Sequence, residues 1–228
     1  MEQSDFFMIF SPAWLLVSFL LYWPLFFKVS EKGEGKKIIL MRYYGAALFG
    51  AVPVLLSVIL GFDADYIFGL RFTFLVKPGL WILSMGFGLI LAVVSFFASR
   101  SSKNLREFPQ IRDRKWTSGL VFHNVLSWIV YLIAYEFLFR GLLLFPLVPV
   151  IGFWPAAVIG TVLYSLSHYP KSFREALGAI PFGIILAYLA WETQSVWPCI
   201  FIHVCMAVSN SLFSLYHHPD IQIVKAGK

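Results

Sequence analysis

Long apolar runs dominate the pattern along the chain. Phe6–Phe27 carries no charged residue, and comparable runs follow at Tyr43–Leu60, Gly79–Ala98, Ser118–Phe145, Pro155–Ser167, Ala176–Trp191 and Trp197–Tyr216. A helix rises about 1.5 Å per residue and a bilayer core is about 30 Å thick, so roughly 20 apolar residues cross it. The pattern predicts an all-α, polytopic transmembrane helical bundle of about seven spans, with ends placed to within about 2–4 residues. The fourth run is long enough to tilt or to end in a short separate helix. The fifth and sixth are short, which suits helices buried among others. Glu2 and Asp5 precede the first run, with no basic segment or small-residue cleavage site, so a retained span is expected there and not a signal peptide. No linker, repeat or low-complexity tract divides the chain, and residues 1–228 read as one integral membrane domain.

Composition agrees with this pattern. Hydrophobic residues make up 59% and charged residues 13%, whereas a soluble domain is nearer half apolar and about a quarter charged. The net charge of +6 would suit a nucleic-acid partner only if it were clustered on one face, and its distribution points elsewhere. Lys28, Lys32, Lys36, Lys37 and Arg42 fall between runs one and two. Arg100, Lys103, Arg106, Arg112, Arg114 and Lys115 fall between runs three and four. Lys171 and Arg174 follow run five, and Lys225 and Lys228 close the chain. With seven spans these loops all face one side, and the other side receives only Arg71 and Lys77. Lysine and arginine stay cytosolic, so the N-terminus is expected outside and the C-terminus in the cytosol of a cell membrane. Anchoring to anionic headgroups then accounts for all these cations, and the partner they imply is the lipid bilayer, not nucleic acid. Cys199 and Cys205 share one predicted helix six residues apart and cannot bridge each other.

An ionisable group in hydrocarbon is costly unless paired, neutralised or hydrated. Few occur here: Glu136 and Arg140 in the fourth run, His168 closing the fifth, and His203 with Asn210 in the seventh. Glu136 and Arg140 are four apart and share a helix face, as do His203 and Asn210 at seven apart. Pro146, Pro155 and Pro198 mark the expected outer helix ends, from which depth increases at about 1.5 Å per residue. Glu136 then lies ~15 Å deep, Asn210 ~18 Å and His168 ~20 Å, with Arg140 and His203 shallower at ~9 Å and ~8 Å. A purely structural network, with Glu136 on Arg140 and the histidines on backbone, is the plain alternative. Convergence of five polar groups near mid-membrane favours a site. A carboxylate beside two imidazoles is what water activation needs: a base for the proton, donors for the oxyanion, and a hydrated cavity. His123 is expected at the interface, His217 and His218 in a solvated tail, and Glu192 on the surface. Glu175 is either a first-turn acid of the sixth helix, favoured by the helix dipole, or a second carboxylate reaching the site. Pro170 breaks the helix between it and His168.

From about Ser118 to Ser214 the chain resembles the CAAX protease and bacteriocin-processing (CPBP) family of intramembrane glutamic endopeptidases. The family pattern is Glu-Glu-x-x-x-Arg, then Phe-x-x-x-His, then His-x-x-x-Asn on successive membrane helices. Glu136 with Arg140-Gly141 matches the first motif, Tyr164 with His168 matches the second, and Thr193 to Pro198 leading to His203 is similar to the approach to the third. Tyr135 stands at the first Glu, and Ala207 stands at the Asn with Asn210 one turn further on. The run from Glu136 to Gly141 looks similar to a single-Glu branch of the family.

The resemblance implies a CPBP-like core at 118–214 and an intramembrane endopeptidase. Its substrate would be a membrane-associated peptide or protein, and a prenylated one is a family possibility. In that reading Glu136 activates water with help from His168, His203 and Asn210 stabilise the oxyanion, and Arg140 orients Glu136. No His-Glu-x-x-His pair is present, and neither a metal nor a cofactor is expected. The alternative is a non-catalytic relative that binds a membrane peptide or partner in an immunity or scaffold role, and loss of the first Glu suits it. A transporter with Glu136 as proton carrier is more remote, since no inverted repeat is evident.

Overall fold

The computed structural model describes residues 3–29, 33–61, 63, 68–169 and 173–225; Glu2, Lys32, Pro170, Lys171 and Lys228 lie outside the described residues. Among the described residues there are eight helices. They are α1 (Gln3–Val29), α2 (Gly35–Ile59), α3 (Pro78–Ala98), α4 (Ser102–Glu107), α5 (Ser118–Ile151), α6 (Phe153–His168), α7 (Phe173–Thr193) and α8 (Trp197–His217). The protein is an all-α, multi-pass membrane bundle. All seven predicted runs are helical, but five helices (α2, α3, α5, α7 and α8) are long and apolar enough to cross a membrane. Helix α6 has 16 residues, which is about 24 Å of rise. In α1 the apolar stretch that stands out is Pro12–Pro24.

Local chemistry sets the helix ends. Thr117 Oγ1 accepts from Leu120 N–H at 3.2 Å to open α5, and Ser101 Oγ accepts from Asn104 N–H at 3.2 Å to open α4. Asp113 takes the first amide of α2, Gly35 N–H, at 2.7 Å. Pro78 and Pro198 sit in first turns, where their missing N–H costs nothing.

Two boundaries differ from expectation. Helix α2 starts eight residues before Tyr43, at Gly35, so Arg42 lies within a span. Helix α5 does not stop at Pro146 but runs through it and Pro149 to Ile151, with Phe137–Leu144 in π form. Pro146 lacks an N–H and crowds the carbonyl four residues back; the wider turn ahead of it absorbs both effects.

Helix α5 is the central element, with 78% of its apolar window buried against 22% for α3. Helix α2 packs on α5, α3 on α8, and α6 on α7. The outer face of α3 presents Ile82, Leu89, Ile90 and Val93, as a lipid-facing helix should.

At one end, Gly33 bridges to Ile111, and a parallel strand pair joins β1 (Lys115–Thr117) to β2 (Gln222–Val224) around the wholly buried Ile111 and Trp116. This cap gathers two basic loops and the tail at one end, in keeping with the charge alternation. It also corrects three expectations. Arg42 is not among headgroups: it is 2% exposed, because the early start of α2 carries it inside. His217 is not a solvated tail residue but ends α8 with Nδ1 2.9 Å from Ser99 Oγ, and His218 Nε2 lies 3.1 Å from Arg112 Nη1. Both are held because the end of α8 meets the segment that follows α3.

At the other end, residues 68–77 roof the bundle. Gly69 adopts φ +64, and a side chain there would strike the Phe145 ring. Its carbonyl accepts from Val196 N–H at 2.9 Å, and Leu70 O accepts from Trp197 Nε1 at 2.6 Å. Lys77 pairs with Glu192 at 2.9 Å on the rim, as a surface charge would.

Candidate active site

Glu136 is the last residue before the π segment of α5 and is 0% exposed. Its Oε1 accepts from His203 Nδ1 of α8 at 2.6 Å. Its Oε2 lies 3.0 Å from Arg140 Nη1, an ion-pair contact without the alignment of a hydrogen bond. The Arg140 guanidinium in turn covers the Tyr164 ring at 4.4 Å. A carboxylate only accepts, so His203 Nδ1 is the donor in this contact.

His168 is oriented by different partners. Its Nδ1 is 2.8 Å from the Tyr164 carbonyl and 3.5 Å from the Tyr135 hydroxyl. A backbone carbonyl only accepts, so here too Nδ1 donates. The Ser167 hydroxyl donates to the same carbonyl at 2.6 Å, and Tyr135 bonds to that hydroxyl. The Tyr135 ring stands edge-on to both imidazoles, with centroids 6.1 Å from His168 and 5.9 Å from His203.

These groups face a cavity of about 400 Å³. Its polar wall carries Tyr135, Ser167, His168, Glu175, His203 and Asn210, and its apolar wall is built from aromatic residues of α1, α2 and α5 such as Trp23, Phe49 and Trp128. His168, His203 and Asn210 thus reach one space. Glu136 does not line it: the carboxylate stands behind His203, with Arg140 beside it. Glu175 is both in the first turn of α7 and on the cavity wall, so its two readings coexist.

The predicted division into two depth layers does not hold, because Glu136 and His203 are in direct contact. Those depths hold only if every helix end lies at one surface. The start of α8 instead lies beneath residues 68–77, with Val196 and Cys199 at 0% exposure, and α5 passes its proline. Asn210 is on the cavity but seven residues from His203 along α8, about 10 Å of rise. Three polar residues of the cavity wall were not among the expected ones. Tyr135 was legible only as a departure from a motif, Ser167 only as the neighbour of His168, and Asn104, on α4 among basic residues, carried no signal at all.

The fold and the site together define a class: a polytopic helical membrane protein whose buried Glu–Arg–His cluster backs a cavity between helices. Residues 117–209 match the family model for type II CAAX prenyl endopeptidase Rce1-like proteins, and the CPBP recognition drawn from the motifs holds over that segment. That family is a family of proteases. Neither a comparison with curated proteins nor one with solved structures gave a match. The matched segment is α5 to most of α8, so α1 to α4 wall the cavity from outside it.

Proposed function

We propose that the protein is an intramembrane endopeptidase that hydrolyses a peptide bond of a membrane-associated peptide or protein with water activated by the Glu136–His203 pair. The observation that carries this reading is the 2.6 Å contact between Glu136 Oε1 and His203 Nδ1, with His203 also on the wall of the cavity. Nε2 of His203 takes a proton from water as the oxygen attacks the peptide carbonyl. Glu136 stabilises the imidazolium that forms and fixes its tautomer, and Arg140 holds the carboxylate in place. His168 assists from the same cavity wall, and the hydroxyl of Tyr135, whose ring stands edge-on to both imidazoles, serves the oxyanion. The imidazolium then returns its proton to the leaving nitrogen as the C–N bond breaks. The alternation of basic loops supports an orientation with the end capped by β1 and β2 in the cytosol and the N-terminus outside, in a cell membrane.

The test is cleavage of a membrane-peptide library by purified protein. The wild type is expected to cleave, and Glu136→Gln and His203→Ala to fold but lose at least about 10²-fold, as for loss of a general base and its partner. Equal turnover by wild type and Glu136→Gln removes Glu136 from the mechanism and makes Glu175 the carboxylate to test. A second reading, a non-catalytic membrane protein that binds a peptide or partner, is favoured by the sealing of Glu136 and by Tyr135 in place of a first carboxylate. A wild type that binds one peptide tightly and cleaves none selects it.

A further inference from the structure

We infer that Asn210, held by Ser214 and Asn104, forms a subsite that grips the backbone of an extended substrate peptide about three residues from the scissile bond, toward the end capped by β1 and β2. The inference rests on the peptidase reading above. It begins from distance. Reacting atoms must come within about 3–3.5 Å of one another, whereas Asn210 lies about 10 Å beyond His203 along α8. One carbonyl oxygen cannot serve both. An extended chain rises about 3.3 Å per residue, so a peptide lying along α8 with its scissile carbonyl at His203 brings a carbonyl about three residues away to Asn210. Between the two polar levels the wall is Met206 and Ala207, which offer side-chain space and no hydrogen bond.

The amide of Asn210 is set for this task by residues that the water-activating pair does not use. Asn104 Nδ2 donates to Ser214 Oγ at 2.7 Å. The proton of that hydroxyl then faces Asn210 Oδ1 across a long contact of 3.5 Å. With its oxygen turned to Ser214, Asn210 presents its NH₂ group to the cavity as a donor. A donor there recognises a peptide carbonyl. A helical substrate has no such carbonyl to give, because each is already bonded within the helix, so the substrate class is a segment unwound on this side. Ser214 is wholly buried, and Asn104 belongs to α4, which places that short helix in the site.

The experiment uses the library peptide that the wild type cleaves fastest and an analogue in which the third amide on that side is a trans-alkene. Asn210→Ala should raise KM about tenfold for the amide peptide, the size of one hydrogen bond in a buried site, with kcat within about twofold. The analogue should show the raised KM with wild type and no further rise with Asn210→Ala. Asn104→Ala and Ser214→Ala should raise KM by about threefold by letting the amide turn, with Ser214→Thr restoring it; the Asn104 variant keeps the test alive should the buried Ser214 change impair folding. A fall in kcat at constant KM for Asn210→Ala would put it at the reacting carbonyl and overturn the subsite, as would equal penalties on peptide and analogue. If the wild type cleaves nothing, the peptidase reading is lost, and the Kd of the tightest library peptide decides the subsite separately: equal values for wild type and Asn210→Ala overturn it too.

Discussion

Two arginines are buried to the same degree, 2% exposed, and are handled in opposite ways. Arg140, in the matched segment, faces a carboxylate at 3.0 Å and the Tyr164 ring at 4.4 Å. Arg42, on α2 outside it, meets neutral groups: Gln110 Oε1 at 2.8 Å, Asn124 Oδ1 at 3.0 Å, Ser127 Oγ at 3.1 Å and the Trp128 ring at 3.9 Å. Around Arg42 the cation is solvated by fixed dipoles and a π face, and the product is a joint: α2 is tied to α5 and to the segment carrying Gln110. Around Arg140 the charge is cancelled by Glu136, whose second oxygen then reaches His203 and, through it, the cavity. A carboxylate partner connects a buried cation to a histidine on the cavity wall; amide and hydroxyl partners make it an architectural tie.

Substitutions separate the two. Arg140→Met should leave Glu136 as an uncompensated buried charge and cost about 3–5 kcal/mol, read as reversible unfolding in mixed micelles. Adding Glu136→Gln to it should recover much of that loss while cleavage stays absent, because the neutral pair no longer strands a charge. A double variant as unstable as the single one would show that Arg140 acts through shape and not charge. Arg42→Met should cost less, about 1–3 kcal/mol, since it leaves only neutral amide and hydroxyl groups short of a partner. Its cleavage per folded molecule should stay near the wild-type rate. A selective loss of turnover there would mean that the two arginines are not different in kind.

The smallest effect concerns the cap. Burial first, and the Arg112 guanidinium second, hold the His218 pKa below its ordinary value, while burial also lowers that of Arg112 despite Glu107. A histidine depressed in the fold contributes stability above its unfolded pKa of about 6.5, and that contribution is lost as pH falls through the folded value. Protection of the β2 amides, corrected for the intrinsic pH dependence of exchange, should therefore be lower at about pH 5 than at about pH 7.5, and His218→Gln should flatten the difference. Unchanged protection across that range would show that β2 is held by its pairing with β1 alone.

Much was legible in the amino-acid sequence. Seven apolar runs became seven helices, since burial of a helix in lipid is dictated by local composition and length. The i,i+4 pair Glu136–Arg140 was legible for the same reason: spacing on one helix fixes a shared face. Phe137–Leu144 was not, because whether a helix survives Pro146 depends on what packs around the widened turn. Arg42 was misplaced because a cation near the end of a run looks the same whether headgroups or Gln110 and Asn124 receive it.

The sequence by itself determined the class, the helix order and the identity of the polar groups inside the membrane, because each follows from interactions within about one helical turn or from the cost of charge in hydrocarbon. Only the tertiary structure decided which of those groups meet. The contact of Glu136 with His203 spans 67 residues of chain, and it depends on how far α8 sits beneath residues 68–77, a height that rise per residue cannot supply when each helix starts at its own level. The same holds for Asn104 and Ser214, 110 residues apart. Spacing assigns a face to a residue, but only the packing of one helix on another assigns it a partner.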